Sequence, residues 1–232
     1  MFLRRWQRFF AAVRRADGSE LTVHLPNTGS MASLNEPGRP AWIRAAANPK
    51  RKLSHTLVLM GLPGDGVAVV DTSLPNRLAQ AAVLAGRIPA LAGYVRIQPE
   101  APIGVGGRRC DLLLTGHSSR ADCWVEVKNV TWSRTPGLAE FPDAVSARGK
   151  AHLEELVGVV RRGGRAVQLY LVDRTDCERC SLAGDLDPAY AAAAKLALAA
   201  GVEFLGVGLN VRRQGDTFSL TVGRECSYHA ES

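Results

Sequence analysis

Aromatic residues are scarce in this chain, at 6% of 232 residues, too few for the succession of stacking platforms that single-strand nucleic-acid channels use. Long apolar runs are missing as well. No segment reaches the roughly 18 consecutive apolar residues of a membrane span, and no membrane partner is expected. At the basic N-terminus (Arg4, Arg5, Arg8), only Phe9 to Val13 precede Arg14 and Arg15. That run is too short for the apolar core of a secretory leader, and a cytoplasmic location is expected. Five cysteines (Cys110, Cys123, Cys177, Cys180, Cys226) make no secreted disulfide framework without a leader. Cys177 and Cys180 have the spacing of a zinc or redox pair, but a second pair is missing. Two thiols are half a structural zinc site, so ordinary thiols in a loop are expected. The five histidines are dispersed and form no close pair.

What is abundant is core material and positive charge. Hydrophobic residues make up 46% of the chain and mean hydropathy is −0.03, as in a globular protein. The formal net charge is +7. Residues 1–73 carry ten of the 29 Lys and Arg but only five of the 22 Asp and Glu. The excess sits in Arg4, Arg5, Arg8, Arg14 and Arg15 and in Lys50, Arg51 and Lys52. Clustered cations suit a polyanion such as DNA, bound through counterion release; solvated surface is the simpler alternative.

Residues 1–73 read as about five short strands: Arg8 to Arg15, Glu20 to Leu25, Ala41 to Ala45, Thr56 to Met60 and Val67 to Val70. Such a set suits a small barrel, with the loops Pro26 to Ser30 and Asn48 to Lys52 as its functional edges. A boundary is expected near Ser73-Leu74-Pro75, followed by a helix from Asn76 that Gly86 stops. Further on, Asp143 is a plausible N-cap for a helix running to about Arg162. Its apolar face is Leu153, Leu156, Val157 and Val160. Ala166 to Val172 reads as a buried strand, Asp187-Pro188 as the start of a helix, and Val202 to Leu209 as another strand. Alternating strands and helices imply parallel pairing through crossovers. The 74–232 region is therefore expected to be α/β, with an antiparallel hairpin leading in.

That hairpin carries the chemistry. Arg109 to Leu114 and Cys123 to Lys128 are apolar runs interrupted by Asp111, Glu126 and Lys128. Period-two geometry puts Trp124, Glu126 and Lys128 on one face and Cys123, Val125 and Val127 on the other. If the runs pair around Ser118-Ser119, Asp111 lies opposite Glu126. Opposed carboxylates with Cβ atoms roughly 5 Å apart repel, and a divalent cation would relieve them. An exposed strand face with cross-strand ion pairs is the alternative.

Several motifs in order resemble the bacterial and archaeal sugar fermentation stimulation protein A family. They are Asn27-Thr28-Gly29-Ser30-Met31, Asn48-Pro49-Lys50-Arg51-Lys52, Ser73-Leu74-Pro75-Asn76-Arg77 and Val125-Glu126-Val127-Lys128-Asn129-Val130. To these are added Phe141-Pro142-Asp143-Ala144-Val145, Arg148-Gly149 and His152-Leu153. The resemblance runs from about Arg8 to Val211. It implies an N-terminal OB-like β-barrel followed by a PD-(D/E)XK nuclease-like mixed sheet flanked by helices. It also implies DNA binding with little sequence preference and a regulatory link to maltose metabolism.

On that resemblance, Asp111 and Glu126 would hold Mg²⁺ or Mn²⁺ with the carbonyl of Val127, since such ions select hard oxygen donors. Lys128 would orient the attacking water or stabilise developing charge. Arg77, Arg148 and Lys150 would hold phosphate. Arg4, Arg5, Arg8, Asn27, Lys50, Arg51 and Lys52 would supply the barrel's DNA surface. One departure is evident: superfamily members often carry another glutamate in the helix before the hairpin, whereas here it reads Asn76-Arg77-Leu78-Ala79-Gln80-Ala81-Ala82, leaving a one-metal scheme. A DNA-binding regulator that keeps the fold without turnover is the competing expectation, and homo-oligomerisation is left open. His152 reads as a surface residue.

Overall fold

The computed structural model describes residues 1–104 and 107–229. Alternating apolar positions build six strands in the N-terminal part: β1 (Phe2–Trp6), β2 (Phe10–Arg14), β3 (Glu20–His24), β4 (Ala41–Ala45), β5 (His55–Gly61) and β6 (Val67–Val69). They run in the order β1-β2-β3-β5-β4, with β6 also pairing with β5. Phe2, Val23, Leu25, Leu57 and Met60 fill the interior. The expected OB-like arrangement is present, as a sheet that does not close into a barrel. Its terminal strands β1 and β4 meet only through the chain just before β4, where Phe2 exchanges backbone hydrogen bonds with Arg39 and Gly38 (both 2.8 Å). Strand β1, with two arginines in five residues, has no counterpart among the expected strands.

The rest is layered. The central sheet contains β7 (Arg96–Ile103), β8 (Arg108–Thr115), β9 (Cys123–Val130), β12 (Arg165–Val172), β14 (Glu203–Gln214) and β15 (Thr217–Glu225), ordered β15-β14-β12-β9-β8-β7. Strand β12 pairs in parallel with both β9 and β14, while β8 pairs antiparallel with β9. A second sheet joins β10 (Trp132–Thr135), β11 (Gly137–Phe141), β13 (Cys177–Leu182) and β16 (Ser227–His229).

Helix α1 (Pro75–Leu84) covers one face of the central sheet through Ala79, Ala82 and Val83, against Leu112, Val125 and Leu169. Helices α2 (Ala147–Arg161) and α3 (Pro188–Ala199) cover the other through Leu153, Leu156 and Ala194, against Trp124 and Tyr170. Asp187 caps α3 as expected, accepting the Tyr190 amide. The cap of α2 is not Asp143 but Ser146, whose side chain accepts the Gly149 amide. Cys177 and Cys180 lie on a strand rather than a loop, buried as free thiols. Among the described residues no helix is long and apolar enough to cross a membrane.

Candidate metal centre

Strand β9 sits near the middle of the sheet, so its residues are buried on both faces. The β8–β9 ladder runs from Leu114–Cys123 to Leu112–Val125, the register expected from a turn centred on Ser118-Ser119. There the backbone pairing stops. The next residue, Asp111, turns its carboxylate into the gap: Oδ2 accepts the amide of Val127 at 2.7 Å, and Oδ1 accepts Asn76 Nδ2 at 2.6 Å. Because a strand residue's N–H and C=O point to the same edge, the Val127 carbonyl also faces the Asp111 side. The two carboxylates sense each other. Burial, then the neighbouring charge of Glu126, pushes the Asp111 carboxyl up to about 6.

Glu126 is buried but compensated differently. Lys128 Nζ donates to its Oε1 at 2.6 Å, and His152 Nδ1, from α2, contacts the same oxygen. Burial alone would raise the Glu126 carboxyl, but the His152 hydrogen bond and the Lys128 charge outweigh it and hold the group below its ordinary value. Arg148 Nε donates to His152 Nε2 at 3.3 Å, so a line of donors runs from the surface to Glu126. His152 is therefore not the surface residue expected from sequence. Its ring is mostly buried, and only the docking of α2 on the sheet reveals its partner.

Beside this centre, Val127, Lys128 and Asn129 line a cleft of about 190 Å³ whose opposite wall is Thr28 and Gly29 of the N-terminal part. Asp143 ties the walls together: its Oδ2 accepts Ser30 Oγ and the Met31 amide, both at 3.3 Å. A Cβ on Gly29 would lie 2.4 Å from that carboxylate, which is why a glycine stands there. Sequence reasoning placed Asp143 on the wrong element and missed this bridge.

The expected phosphate contacts divide. Arg4, Arg8, Lys50, Arg51, Lys52, Arg77, Arg148 and Lys150 are exposed. Arg5 and Asn27 make internal contacts. The Arg5 guanidinium donates to the carbonyls of Gly29 (2.9 Å), Ser30 (3.2 Å) and Asn27 (2.6 Å). Asn27 is buried, donating to the Val70 carbonyl and accepting the Gly29 amide. Both shape the cleft wall from behind.

A divalent cation fits the donor set. A half-buried Asp111 and a buried Glu126 stand on neighbouring strands, the first raised by burial and then by the second's charge, with the Val127 carbonyl on the Asp111 side. Among the described residues no group of three or more His, Cys, Asp or Glu side chains is placed to hold a metal ion; a hard ion that keeps several waters needs fewer protein ligands.

An open OB-like sheet packed beside a mixed sheet with an acid-x-lysine strand at its centre defines a two-part class of protein, and comparison with known proteins makes it specific. Residues 3–70 match the model of the SfsA N-terminal OB domain, and residues 73–215 match that of the sugar fermentation stimulation protein RE domain. The chain belongs to the sugar fermentation stimulation protein (SfsA) family. It is 47% identical over 213 residues to a sugar fermentation stimulation protein homolog of Ruegeria sp. (strain TM1040), covering 92% of this chain and 91% of that one. With the Maricaulis maris (strain MCS10) homolog it shares 46% identity over 209 residues, 90% of this chain and 88% of the other. Among solved structures, Pyrococcus furiosus SfsA in complex with Ca²⁺ superimposes with a TM-score of 0.85 at 27% identity, covering 99% of this chain and 94% of that one.

Proposed function

We propose that this protein binds DNA with little sequence preference and hydrolyses its phosphodiester bonds with Mg²⁺ or Mn²⁺ held at Asp111, Glu126 and the Val127 carbonyl. The observation that carries this reading is that Asp111 takes the Val127 amide where the β8–β9 ladder ends and lies near enough to Glu126 for that residue's charge to help raise its carboxyl, with Lys128 Nζ 2.6 Å from Glu126. A calcium complex of a relative sharing the fold supports a divalent site here. When bound, such an ion withdraws charge from phosphoryl oxygens and makes its bound water a better nucleophile.

The chain's own residues do the rest. Lys128, fixed by its carboxylate partner, presents an ammonium to the charge that develops on the attacked phosphate. Arg148 and Lys150 on α2, and Arg77 on α1, are exposed and would hold the flanking phosphates. Lys50, Arg51 and Lys52 extend the basic surface onto the N-terminal sheet.

The second reading is DNA binding without turnover. It has a specific observation in its favour: Asn76, on the helix that carries another acid in many nucleases, donates an amide proton to Asp111 rather than adding a carboxylate. Titration of Mn²⁺ into the wild type should release or absorb heat, and Glu126→Ala should be silent. Equal signals would remove the metal from this site. With Mn²⁺ and plasmid DNA, Lys128→Ala should slow cleavage by about 10²–10³-fold, the usual cost of deleting one charge-stabilising donor. Undiminished cleavage by this variant, or none by the wild type, returns the protein to the second reading.

A further inference from the structure

The proposed chemistry leaves His152 without a role, yet both nitrogens of its ring are engaged. Nδ1 contacts Glu126 Oε1, Nε2 accepts Arg148 Nε at 3.3 Å, and Lys128 Nζ stands 3.5 Å from Nδ1. A guanidinium can only donate. Arg148 therefore makes Nε2 the acceptor, and a neutral ring then carries its proton on Nδ1, directed at Glu126. Lys128 donates to the same oxygen at 2.6 Å. Both side-chain donors that reach Glu126 thus grip Oε1, which leaves Oε2 as the oxygen available to a cation. A carboxylate held by one oxygen cannot swing about its Cγ–Cδ bond, and the second oxygen is held in place before anything binds.

We propose that His152 is a positioning residue: its Nδ1–H fixes the rotation of the Glu126 carboxylate so that Oε2 is presented to the divalent ion, while Arg148 sets the ring's tautomer from the surface. This rests on the assignment of Asp111 and Glu126 as cation ligands. It adds to that assignment a link between the ion and the DNA surface. Arg148 uses Nε for the histidine, and its two terminal nitrogens remain for a phosphate. Outer partners of this kind typically change metal affinity by about 10–100-fold when removed.

The test is calorimetric titration of Mn²⁺, in the absence of DNA, into the wild type, Glu126→Ala, His152→Ala, His152→Asn and His152→Gln. The asparagine amide places an N–H near the position of Nδ1, whereas glutamine places its own near Nε2. His152→Ala should bind about 10–100-fold more weakly than the wild type, His152→Asn should recover most of the loss, and His152→Gln should not. If the wild type binds and Glu126→Ala does not, but His152→Ala binds within twofold of the wild type, the positioning role is wrong and the ligand assignment stands. Equal affinities for His152→Asn and His152→Gln also overturn it, even if the alanine variant fails to fold. A wild type that takes up no ion sinks the ligand assignment and this role together.

Discussion

The two sides of the centre solve the same problem in different ways. On the α2 side, Glu126 is surrounded by cationic or polarised donors: Lys128, His152 and, behind the histidine, Arg148. On the α1 side, Asp111 has only neutral ones, the Asn76 amide and the Val127 backbone. Both carboxylates are largely out of water, but one is held below its ordinary protonation range and the other is pushed up to about 6. Burial therefore does not decide which carboxylate stays ionised; the charge of its donors does. The negative charge that lacks an internal partner is concentrated at Asp111, and a divalent ion would have its greatest effect there.

The comparison predicts opposite signs for one kind of substitution. Glu126→Gln keeps an acceptor but strands the Lys128 ammonium, and should destabilise the ion-free protein by about 2–3 kcal/mol near pH 8. Asp111→Asn removes a repelled charge and should stabilise it by about 1–2 kcal/mol at the same pH. The pH profiles follow from linkage. The folded Asp111 carboxyl titrates near 6 against an ordinary 3.8. Stability from its neutral form is present below about 4 and is lost as pH rises through about 6, so the gain from Asp111→Asn should fade toward pH 4. Glu126 has the opposite slope: its contribution is present above its ordinary 4.5 and is lost as pH falls below it. Thermal unfolding of both variants across pH 4–8 checks this. Two shifts of the same sign would break the contrast.

The sequence allowed the hairpin to be read because its information is local. A turn at Ser118-Ser119 sets a register that reaches Leu112–Val125 without help from the rest of the molecule. The helix expected from Asn76 and found from Pro75, the helix start at Asp187-Pro188, and the strand expected from Ala166 and found from Arg165 were legible for the same reason. Strand β7 was not, because Pro99 and Pro102 lie within it, and proline on an edge strand erases the usual signal. Strand β13 hides behind Glu178 and Arg179, which are exposed between its buried cysteines. His152 and Asp143 were missed because their partners, Glu126 and the Ser30–Met31 loop, are 26 and 112–113 residues away. The spacing of Arg148 and His152, one helical turn apart in a motif matching the family, was the only available hint. Arg5 shows the converse: a basic residue in a basic run gives no sign in the sequence of the three carbonyls it holds.

That last point gives a contrast of intermediate size, between cations already engaged and cations left free. Arg5 braces the wall of the cleft through three carbonyls. Arg5→Ala should cost roughly 2 kcal/mol of stability, as hydrogen bonds from a charged group do, and Arg5→Lys should not restore it, because an ammonium lacks the planar fork. Lys50 and Lys52 are exposed in a loop. Replacing both with alanine should leave stability within about 0.5 kcal/mol while lowering the slope of log K for DNA against log salt by about 2. Denaturant unfolding and DNA titrations at several salt concentrations separate the two. An unchanged slope would move the DNA surface away from this loop.

Another carboxylate takes the contrast to its limit. Asp173, just after β12, is completely buried, and neither of its side-chain oxygens has a hydrogen-bond partner. Its backbone is fully used, donating to Val130 and accepting from Val69 of the N-terminal sheet. With no donor of any kind, burial alone raises its carboxyl well above the ordinary range. The folded protein therefore holds a proton there that the unfolded chain releases. The resulting stability is present below about pH 4 and is lost as pH climbs toward the elevated folded value. Asp173→Asn keeps a neutral group of the same shape, so it should change little below about pH 4. Above that it should gain on the wild type by about 1.4 kcal/mol per pH unit until the folded carboxyl itself ionises, so a clear gap is expected by pH 6, a flatter profile that guanidinium unfolding at a series of pH values would resolve. Parallel profiles for the two proteins would mean that Asp173 stays ionised, and that a buried carboxylate in this fold can dispense with the donors that distinguish Glu126 from Asp111.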